Sequence, residues 1–261
     1  MKLGLVTYNL AKDWDLDTII RACGEHGFEG VELRTTHAHG VEVELTADQR
    51  AEVRRKFEDS PVALAGLGSA FEYHYANPDE LRRNVEGTKE YARLAADVGA
   101  PGIKVRPNAL LIDHGVPEET TLRQIGESFA ECAEFAAGLG VQVRMEVHGP
   151  MTCEPARMRR IMDYASHPNA FVCWNSNAGE VVDGSIKDNF DLLADRIALV
   201  HTRDLCAGDY PWLELLRLLR GRGYDGFCLV EAPASDQPGR VMDYCRALWD
   251  AYQRILDLEA V

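Results

Sequence analysis

Short apolar runs alternate with longer amphipathic stretches along the whole chain, and this alternation restricts the fold more than any other feature. Strand-like runs separated by helical stretches are typical of parallel strands joined by crossover helices. We predict eight strands, at residues 3–8, 30–33, 62–66, 102–105, 141–147, 171–174, 198–201 and 227–230. The 261 residues match the length of one eight-stranded barrel. The sequence therefore predicts the α/β class, with residues 1–261 forming a single (β/α)8 TIM barrel.

Helix boundaries are marked by residues that satisfy free backbone groups. Thr46 and Gln49 have the spacing of a capping box, and Asn77 followed by Pro78 marks the start of a long helix. Four glycines follow helical patterns and precede strands, as left-handed helix ends require: Gly27, Gly99, Gly140 and Gly223. These signals place the helices between the predicted strands.

The overall charge narrows the class of partner. A net charge of −14 argues against a nucleic-acid binder, because phosphate contacts need clustered basic residues. No apolar run approaches the ~20 residues of a membrane span, and the seven cysteines are scattered singly. We expect a cytoplasmic protein with a small sugar or polyol as its partner, without membrane or nucleic-acid partners. An apolar patch on the outer helices could support a homo-oligomer.

Four potential metal ligands close successive apolar runs: Glu146, Asn175, His201 and Glu231. Their spacing is close to one strand-helix unit, roughly 30 residues in a barrel of this kind. Polar residues are common where strands reach solvent, so any one of them alone is better explained structurally. Four at the repeat spacing predict a ring of ligands at the carboxyl-terminal mouth. The oxygen-rich set suits Mn²⁺ or Mg²⁺, with Co²⁺ or Zn²⁺ as alternatives.

Two of these ligands are carboxylates, and this suggests proton transfer. A divalent ion can polarise a carbonyl, while one carboxylate removes a proton from the adjacent carbon and the other returns it. We therefore predict Glu146 and Glu231 as catalytic residues of a sugar isomerase or epimerase that acts through an enediolate.

Further residues near strand ends are candidates for substrate binding. His148 lies two residues beyond Glu146, where packing around the metal is the alternative role. Lys104 and Arg106 could hold a substrate phosphate or carboxylate or stabilise an enediolate oxygen, with charge balance for the nearby Glu146 as the alternative. Arg203 could reach the substrate, although we expect it to form a structural pair with Asp204.

Two more candidates lie at and after the second predicted strand. Glu32 is predicted to bind substrate, with an ion pair to Arg34 or Lys104 as the alternative. His37 and His39 lie two residues apart. For His37 we favour a loop that faces substrate or solvent over a second metal site.

Several segments resemble the xylose-isomerase-like barrels, a family that includes sugar isomerases, ketose 3-epimerases, inosose dehydratases and AP endonucleases. The segments are GFEGVELR, NPDELRRNVEGTKEYARLAADVGAPGIKV, MEVHG, VHTRD and GYDGFCLVE. The resemblance implies that Glu146, position 175, His201 and Glu231 bind the metal, and that the two glutamates act as acid and base. It also implies substrate hydrogen bonding by Glu32.

The chain departs from this family pattern at one place. The family usually has Asp followed three residues later by His, whereas this chain has Asn175 and Ala178. An amide brings no charge, so weaker metal binding is expected, and the missing histidine argues against the multi-zinc site of the endonucleases. Two alternatives to the isomerase hypothesis are a metal-dependent dehydratase of a cyclic polyol or keto-acid, and a non-catalytic sugar-binding barrel.

Overall fold

The computed structural model describes residues 1–259, and the last two residues of the predicted domain lie outside this range. Eight parallel strands form a closed barrel in chain order, β1 to β8. The strands are β1 Lys2–Val6, β2 Gly30–Arg34, β3 Ala63–Glu72, β4 Gly102–Arg106, β5 Gln142–Glu146, β6 Ala170–Trp174, β7 Ile197–Thr202 and β8 Phe227–Val230. The predicted fold is confirmed.

The helices surround the barrel and occupy the predicted intervals. They are α1 Leu16–Glu25, α2 Ala47–Glu58, α3 Pro78–Val98, α4 Glu118–Ala137, α5 Pro155–Tyr164, α6 Lys187–Asp191, α7 Trp212–Gly221 and α8 Pro238–Glu259. The Thr46–Gln49 capping box is present, and the Asn77 side chain accepts hydrogen bonds from the backbone of Asp79 and Glu80. Within residues 1–259, no helix combines the length and the apolar content needed to cross a bilayer.

Two strands end more than one residue away from the predicted place. β1 ends at Val6 rather than at residue 8, because the chain turns at Asn9, which has a left-handed φ of 56°. β3 continues to Glu72, since Ser69 donates a hydrogen bond to the Lys104 carbonyl and Glu72 still pairs with Arg106. Loop geometry and cross-strand contacts therefore decide these two ends.

Side chains alternate between the two faces of each strand, and this alternation determines which residues point into the barrel. Outward-facing residues such as Leu33, Val105 and Val200 pack against the helices in the main core. Inward-facing residues form a small apolar layer inside the barrel, made of Val6, Ala65, Cys173, Leu199 and Leu229. Later inward positions on the same strands are polar, so charged groups gather above the apolar layer at the carboxyl-terminal mouth.

Two large side chains close the opposite end of the barrel. Phe227 lies so close to Gly30 that a Cβ there would be 2.4 Å from the ring, and a Cβ at Gly102 would be 2.7 Å from the Arg144 guanidinium carbon. Arg144 is buried and donates hydrogen bonds to the Ala65 carbonyl at 2.9 Å and to the Gln142 side chain at 3.0 Å. These two side chains therefore fill the amino-terminal end of the barrel, and the cavity lies at the carboxyl-terminal mouth.

Candidate active site and metal centre

Three predicted ligands meet at the mouth: Glu146 at the end of β5, His201 in β7, and Glu231 directly after β8. One ligand atom of each lies within 4.8 Å of the others. His201 Nδ1 is 3.4 Å from Glu146 Oε1 and 3.6 Å from Glu231 Oε1. Both His201 nitrogens are buried, and neither has a hydrogen-bond partner among the described residues. Buried nitrogens without partners are costly, so this gap between two carboxylates fits a cation.

Glu32 lies on the other edge of the same imidazole. Its Oε1 is 3.3 Å from His201 Nε2, and both side chains are almost completely buried. Burial by itself raises the pKa of Glu32, but His201 and Lys104 outweigh it and lower the pKa below its usual value. Glu32 is thus placed beside a predicted ligand, and His201 is the ion-pair partner that the structure gives it.

The environment of His201 favours positive charge. Burial lowers the pKa of His201, but Cys173, Glu32 and Glu146 raise it and prevail, so that it stands well above its ordinary value. Surroundings that increase the affinity of an imidazole for a proton also favour a metal ion at the same nitrogen. The residues present therefore fit a bound divalent ion.

Lys104 and Glu146 form a buried ion pair between neighbouring strands, with Nζ 2.6 Å from Oε2. Burial opposes the charge of Glu146, but the Lys104 ammonium and His201 hold the pKa of Glu146 well below the usual range. The charge-balancing role suggested for Lys104 is therefore present, and the same side chain also lines the cavity. Lys104 keeps the Glu146 carboxylate ionised.

Glu231 has a different environment. Its side chain is 22% exposed, whereas that of Glu146 is 3% exposed. Burial raises the pKa of Glu231; His201 opposes this effect and Glu146 adds to it, leaving a raised value. The two carboxylates thus differ in proton affinity, which is useful for a pair that exchanges a proton through a substrate.

Asn175 is the first residue after β6 and is also buried at the mouth. The following loop is fixed by Ser176, whose hydroxyl donates to the His201 carbonyl at 2.9 Å. Arg203 Nε in turn donates to the Ser176 carbonyl at 3.0 Å, while its guanidinium pairs with Asp209. The predicted pair with Asp204 is wrong, because the Asp204 carboxylate caps the Cys206 backbone instead. Arg203 supports the Asn175 loop.

The mouth encloses a polar cavity of about 220 Å³. Its lining contains Tyr8, Arg34, Lys104, Arg106, Glu146, His148, Asn175, Asn177 and Glu231. Six predicted site residues are therefore brought together there, and His201 contacts two of them from below. Glu32 lies beneath His201. Of the predicted substrate-binding residues, His37 and Arg203 lie behind this lining within the described part of the chain.

One wall of the cavity is a hydrogen-bonded chain. His148 Nδ1 lies 2.9 Å from the Asn108 side-chain oxygen, and Asn108 Nδ2 donates to Glu72 Oε1 at 2.8 Å. Arg106 donates to the same Glu72 oxygen at 2.7 Å. Burial lowers the pKa of His148, so its imidazole is neutral at pH 7 and can exchange hydrogen bonds with sugar hydroxyls.

The opposite wall is formed by Arg34 with Tyr8 and His37. The Arg34 guanidinium carbon is 5.1 Å from the centre of the Tyr8 ring, and Arg34 Nη1 donates a long hydrogen bond, at 3.4 Å, to His37 Nε2. Both ring nitrogens of His39 form hydrogen bonds with the backbone, Nε2 with the Arg34 carbonyl and Nδ1 with the Val41 N–H. The His37 and His39 rings are 6.1 Å apart.

Comparison with known proteins decides the family. The sequence model of the family described as xylose isomerase-like TIM barrel matches residues 20–248. The chain belongs to this family. Fructoselysine 3-epimerase of Escherichia coli O157:H7 is 21% identical over 250 residues, which cover 88% of this chain and 90% of that protein.

Two solved structures have a similar fold. A D-psicose 3-epimerase from Clostridium cellulolyticum H10, solved with D-tagatose, has a TM-score of 0.79 and 16% identity, with coverage of 98% of this chain and 99% of that chain. The IolI protein, solved with a bound zinc atom, has a TM-score of 0.74 and 14% identity, with coverage of 97% and 96%. At these identities the likeness concerns the fold.

For a xylose isomerase-like barrel, the residues that the sequence prediction left out are informative. Tyr8, Arg34 and Asn177 line the cavity but were not predicted as site residues. Arg34 could have been found, because it lies two positions after the inward-facing Glu32 and so faces the same way. The same rule places Trp174 outward, where it packs against Phe190 rather than lining the mouth.

Proposed function

We propose that this protein is a divalent-metal-dependent epimerase or isomerase of a keto sugar, moving a proton at the carbon beside the carbonyl. One observation carries the proposal: the Glu146 and Glu231 carboxylates face His201 Nδ1 at 3.4 and 3.6 Å in a polar cavity. Membership in the xylose isomerase-like family and the similarity to fructoselysine 3-epimerase support it.

Glu146, Asn175, His201 and Glu231 would hold the ion. We favour Mn²⁺ or Mg²⁺ because three of the four ligands offer oxygen, with Co²⁺ and Zn²⁺ as alternatives. The similar IolI structure was solved with a bound zinc atom, which supports metal binding by a barrel of this fold. When bound, the ion would neutralise the negative charge that develops on the sugar oxygen as a proton leaves.

The two carboxylates act on the carbon next to the carbonyl. Glu146 ends β5 and Glu231 follows β8, so they approach the cavity from strands that are not neighbours. One ionised carboxylate accepts the proton and leaves an enediolate. The other, protonated at the start, returns a proton to that carbon in epimerisation. In isomerisation it protonates the former carbonyl carbon, and the hydroxyl proton of the first carbon moves to the former carbonyl oxygen. In both cases the two carboxyl groups end with their protonation states exchanged.

Proton exchange with solvent tests this mechanism. Protein loaded with Mn²⁺ is incubated in D₂O with a panel of ketoses, and deuterium at the carbon beside the carbonyl is followed by NMR. We expect exchange with at least one ketose, and a loss of at least about 10²-fold in Glu146→Gln and in Glu231→Gln. Retained exchange in either variant, at unchanged metal content, would contradict the two-carboxylate mechanism.

A non-catalytic sugar-binding barrel is the second candidate, and Asn175 is the observation that favours it. A neutral amide in the ligand set weakens the attraction for a divalent ion. Measurement of Mn²⁺ affinity by calorimetry separates the two, since absence of binding at millimolar Mn²⁺ would favour the non-catalytic barrel. A dehydratase would instead give an unsaturated product that absorbs in the ultraviolet.

The cellular location, the partner and the oligomeric state that we propose are those predicted from the sequence. All seven cysteines are free thiols, which suits a reducing compartment, and a cytoplasmic location therefore stays part of the proposal. The partner is a small sugar or polyol rather than a nucleic acid. A homo-oligomer stays a prediction that sedimentation analysis can check.

A further inference from the structure

We propose that Arg34 forms a subsite for an anionic group of the substrate, a carboxylate or a phosphate, so that the preferred sugar is an acid or a phosphate ester rather than a neutral ketose. This inference rests on the proposed function, because it names the class of sugar that the same cavity accepts.

Arg34 differs from the other two cations that line the cavity. Lys104 is paired with Glu146 at 2.6 Å, and Arg106 is paired with Glu72 at 2.7 Å. Among residues 1–259, no carboxylate lies within 4 Å of the Arg34 guanidinium; its contacts are the Tyr8 ring and a histidine nitrogen. In a chain with a net charge of −14, a partly buried arginine without a carboxylate partner is unusual. It leaves positive charge available to a ligand.

Neutral groups hold both the backbone and the side chain of Arg34 in place. The Tyr8 ring lies against the guanidinium at 5.1 Å, a cation–π contact that leaves the N–H groups free. The Thr7 hydroxyl accepts a hydrogen bond from the Arg34 backbone N–H at 3.0 Å and contacts His37 Nδ1 at 2.9 Å. His39 contacts the Arg34 carbonyl at 2.8 Å. Such a preorganised guanidinium suits the planar, two-point recognition of carboxylate or phosphate oxygens.

His37 supports Arg34 in the neutral form. With Nδ1 protonated, it donates to the Thr7 hydroxyl and its Nε2 accepts from Arg34. Burial and the nearby Arg34 charge lower the pKa of His37 to about 4. The neutral His37 therefore holds Arg34 in place without binding an anion itself. Its contribution to the substrate site is made through Arg34.

The position of Arg34 sets how far the anion lies from the reacting end. Glu32 and Arg34 are inward-facing neighbours on β2, and Glu32 contacts His201. Two residues along a strand span roughly 7 Å, so Arg34 lies about one layer nearer to solvent than the ligand layer. A carbonyl bound near Glu146 and Glu231 would place the far end of a five- or six-carbon sugar near Arg34. The cavity of about 220 Å³ suits so compact a ligand.

Paired sugars that differ only in charge test the subsite. Dissociation constants for D-fructose, D-fructuronate and D-fructose 6-phosphate are measured by calorimetry on the Mn²⁺-loaded protein. We expect at least one anionic sugar to bind at least tenfold more tightly than D-fructose, and Arg34→Met to reduce that ratio at least tenfold. Arg106→Met is the matched control, because its charge is already balanced by Glu72; it should reduce the ratio by less than threefold.

The outcomes separate the subsite from the catalytic proposal. Comparison of the dissociation constants of D-fructuronate and D-fructose 6-phosphate shows whether a carboxylate or a phosphate is preferred. Equal binding of neutral and anionic sugars, no binding of either anionic sugar, or an equal loss for all three in Arg34→Met would overturn the subsite. Deuterium exchange is followed on the same samples. Anion-selective binding without exchange retains the subsite and rejects catalysis, whereas exchange without anion selectivity does the reverse.

Discussion

The Glu32 carboxylate and the His201 imidazole form a buried pair, with Oε1 3.3 Å from Nε2, on the ring edge opposite to the Glu146 and Glu231 carboxylates. A carboxylate beside the second nitrogen of a metal-binding histidine orients the ring and increases its basicity. Under the proposed function we therefore expect Glu32 to be a positioning residue that acts on the metal site through His201.

Glu32→Gln is expected to weaken Mn²⁺ binding about 10–100-fold, because the amide keeps the shape of the side chain but loses the charge that favours a metal on His201. Calorimetric titration of the metal-free protein with Mn²⁺ measures this change. Glu72→Gln is the matched control, since Glu72 contacts Arg106 and Asn108. Equal Mn²⁺ affinity in Glu32→Gln and the wild type would refute the positioning role.

Removal of Lys104 should destabilise the fold through Glu146. In Lys104→Met the buried Glu146 carboxylate loses its ammonium partner at 2.6 Å, and we expect the free energy of unfolding to fall by about 3–5 kcal/mol. The double variant Lys104→Met with Glu146→Gln should regain most of this loss, since no buried charge is then unpaired. Urea unfolding of the metal-free proteins at pH 7.5 supplies both values, and additive effects would contradict the pairing.

Asn175→Asp should strengthen the metal site. The substitution adds a third carboxylate to the ligand set, and we expect the dissociation constant for Mn²⁺ to fall on the order of tenfold. In the metal-free protein the same change adds a buried negative charge beside Glu146 and Glu231, so the melting temperature should fall without metal and recover with it. A melting temperature that does not respond to Mn²⁺ would place Asn175 outside the ligand set.

Glu180 should make stability depend on pH. It is fully buried between Tyr210 and Asn177, and burial raises its pKa from 4.5 to about 7. Between these two values the folded protein binds more protons than the unfolded chain, so this contribution to stability falls as the pH rises from about 4.5 to 7. Glu180→Gln removes the titration, and its unfolding free energy relative to the wild type should rise by on the order of 2 kcal/mol from pH 5 to pH 8. Parallel pH profiles in urea unfolding would disprove this assignment.

Period-two alternation explains why much of the site could be predicted from the sequence. Once β5 and β7 are recognised, Glu146 and His201 must face inward, because the adjacent residues Met145, Val147 and Val200 are apolar and face the helices. The sequences of the loops predict side-chain contacts less well. Arg203 was predicted to pair with the adjacent Asp204, but the loop brings Asp209 to it instead. Such contacts depend on backbone turns that local residue types do not determine.

Left-handed backbone at residues other than glycine is concentrated where the chain leaves the strands. Asn9 follows β1, Asn108 follows β4, and Ser176 follows β6, with φ values of 56°, 66° and 46°. Asn108 and Ser176 each also bond to a residue of the site. Strained turns of this kind are maintained by the surrounding contacts.

Phe227 and Arg144 close the far end of the barrel, and this bears on which sugars the proposed activity would accept. Under that proposal a sugar would enter with its reactive end leading, and any group attached to its trailing end would project through the opening into water. Long appendages on that end would therefore meet little steric resistance. Branching next to the reactive carbon, in contrast, would be rejected by the solid interior.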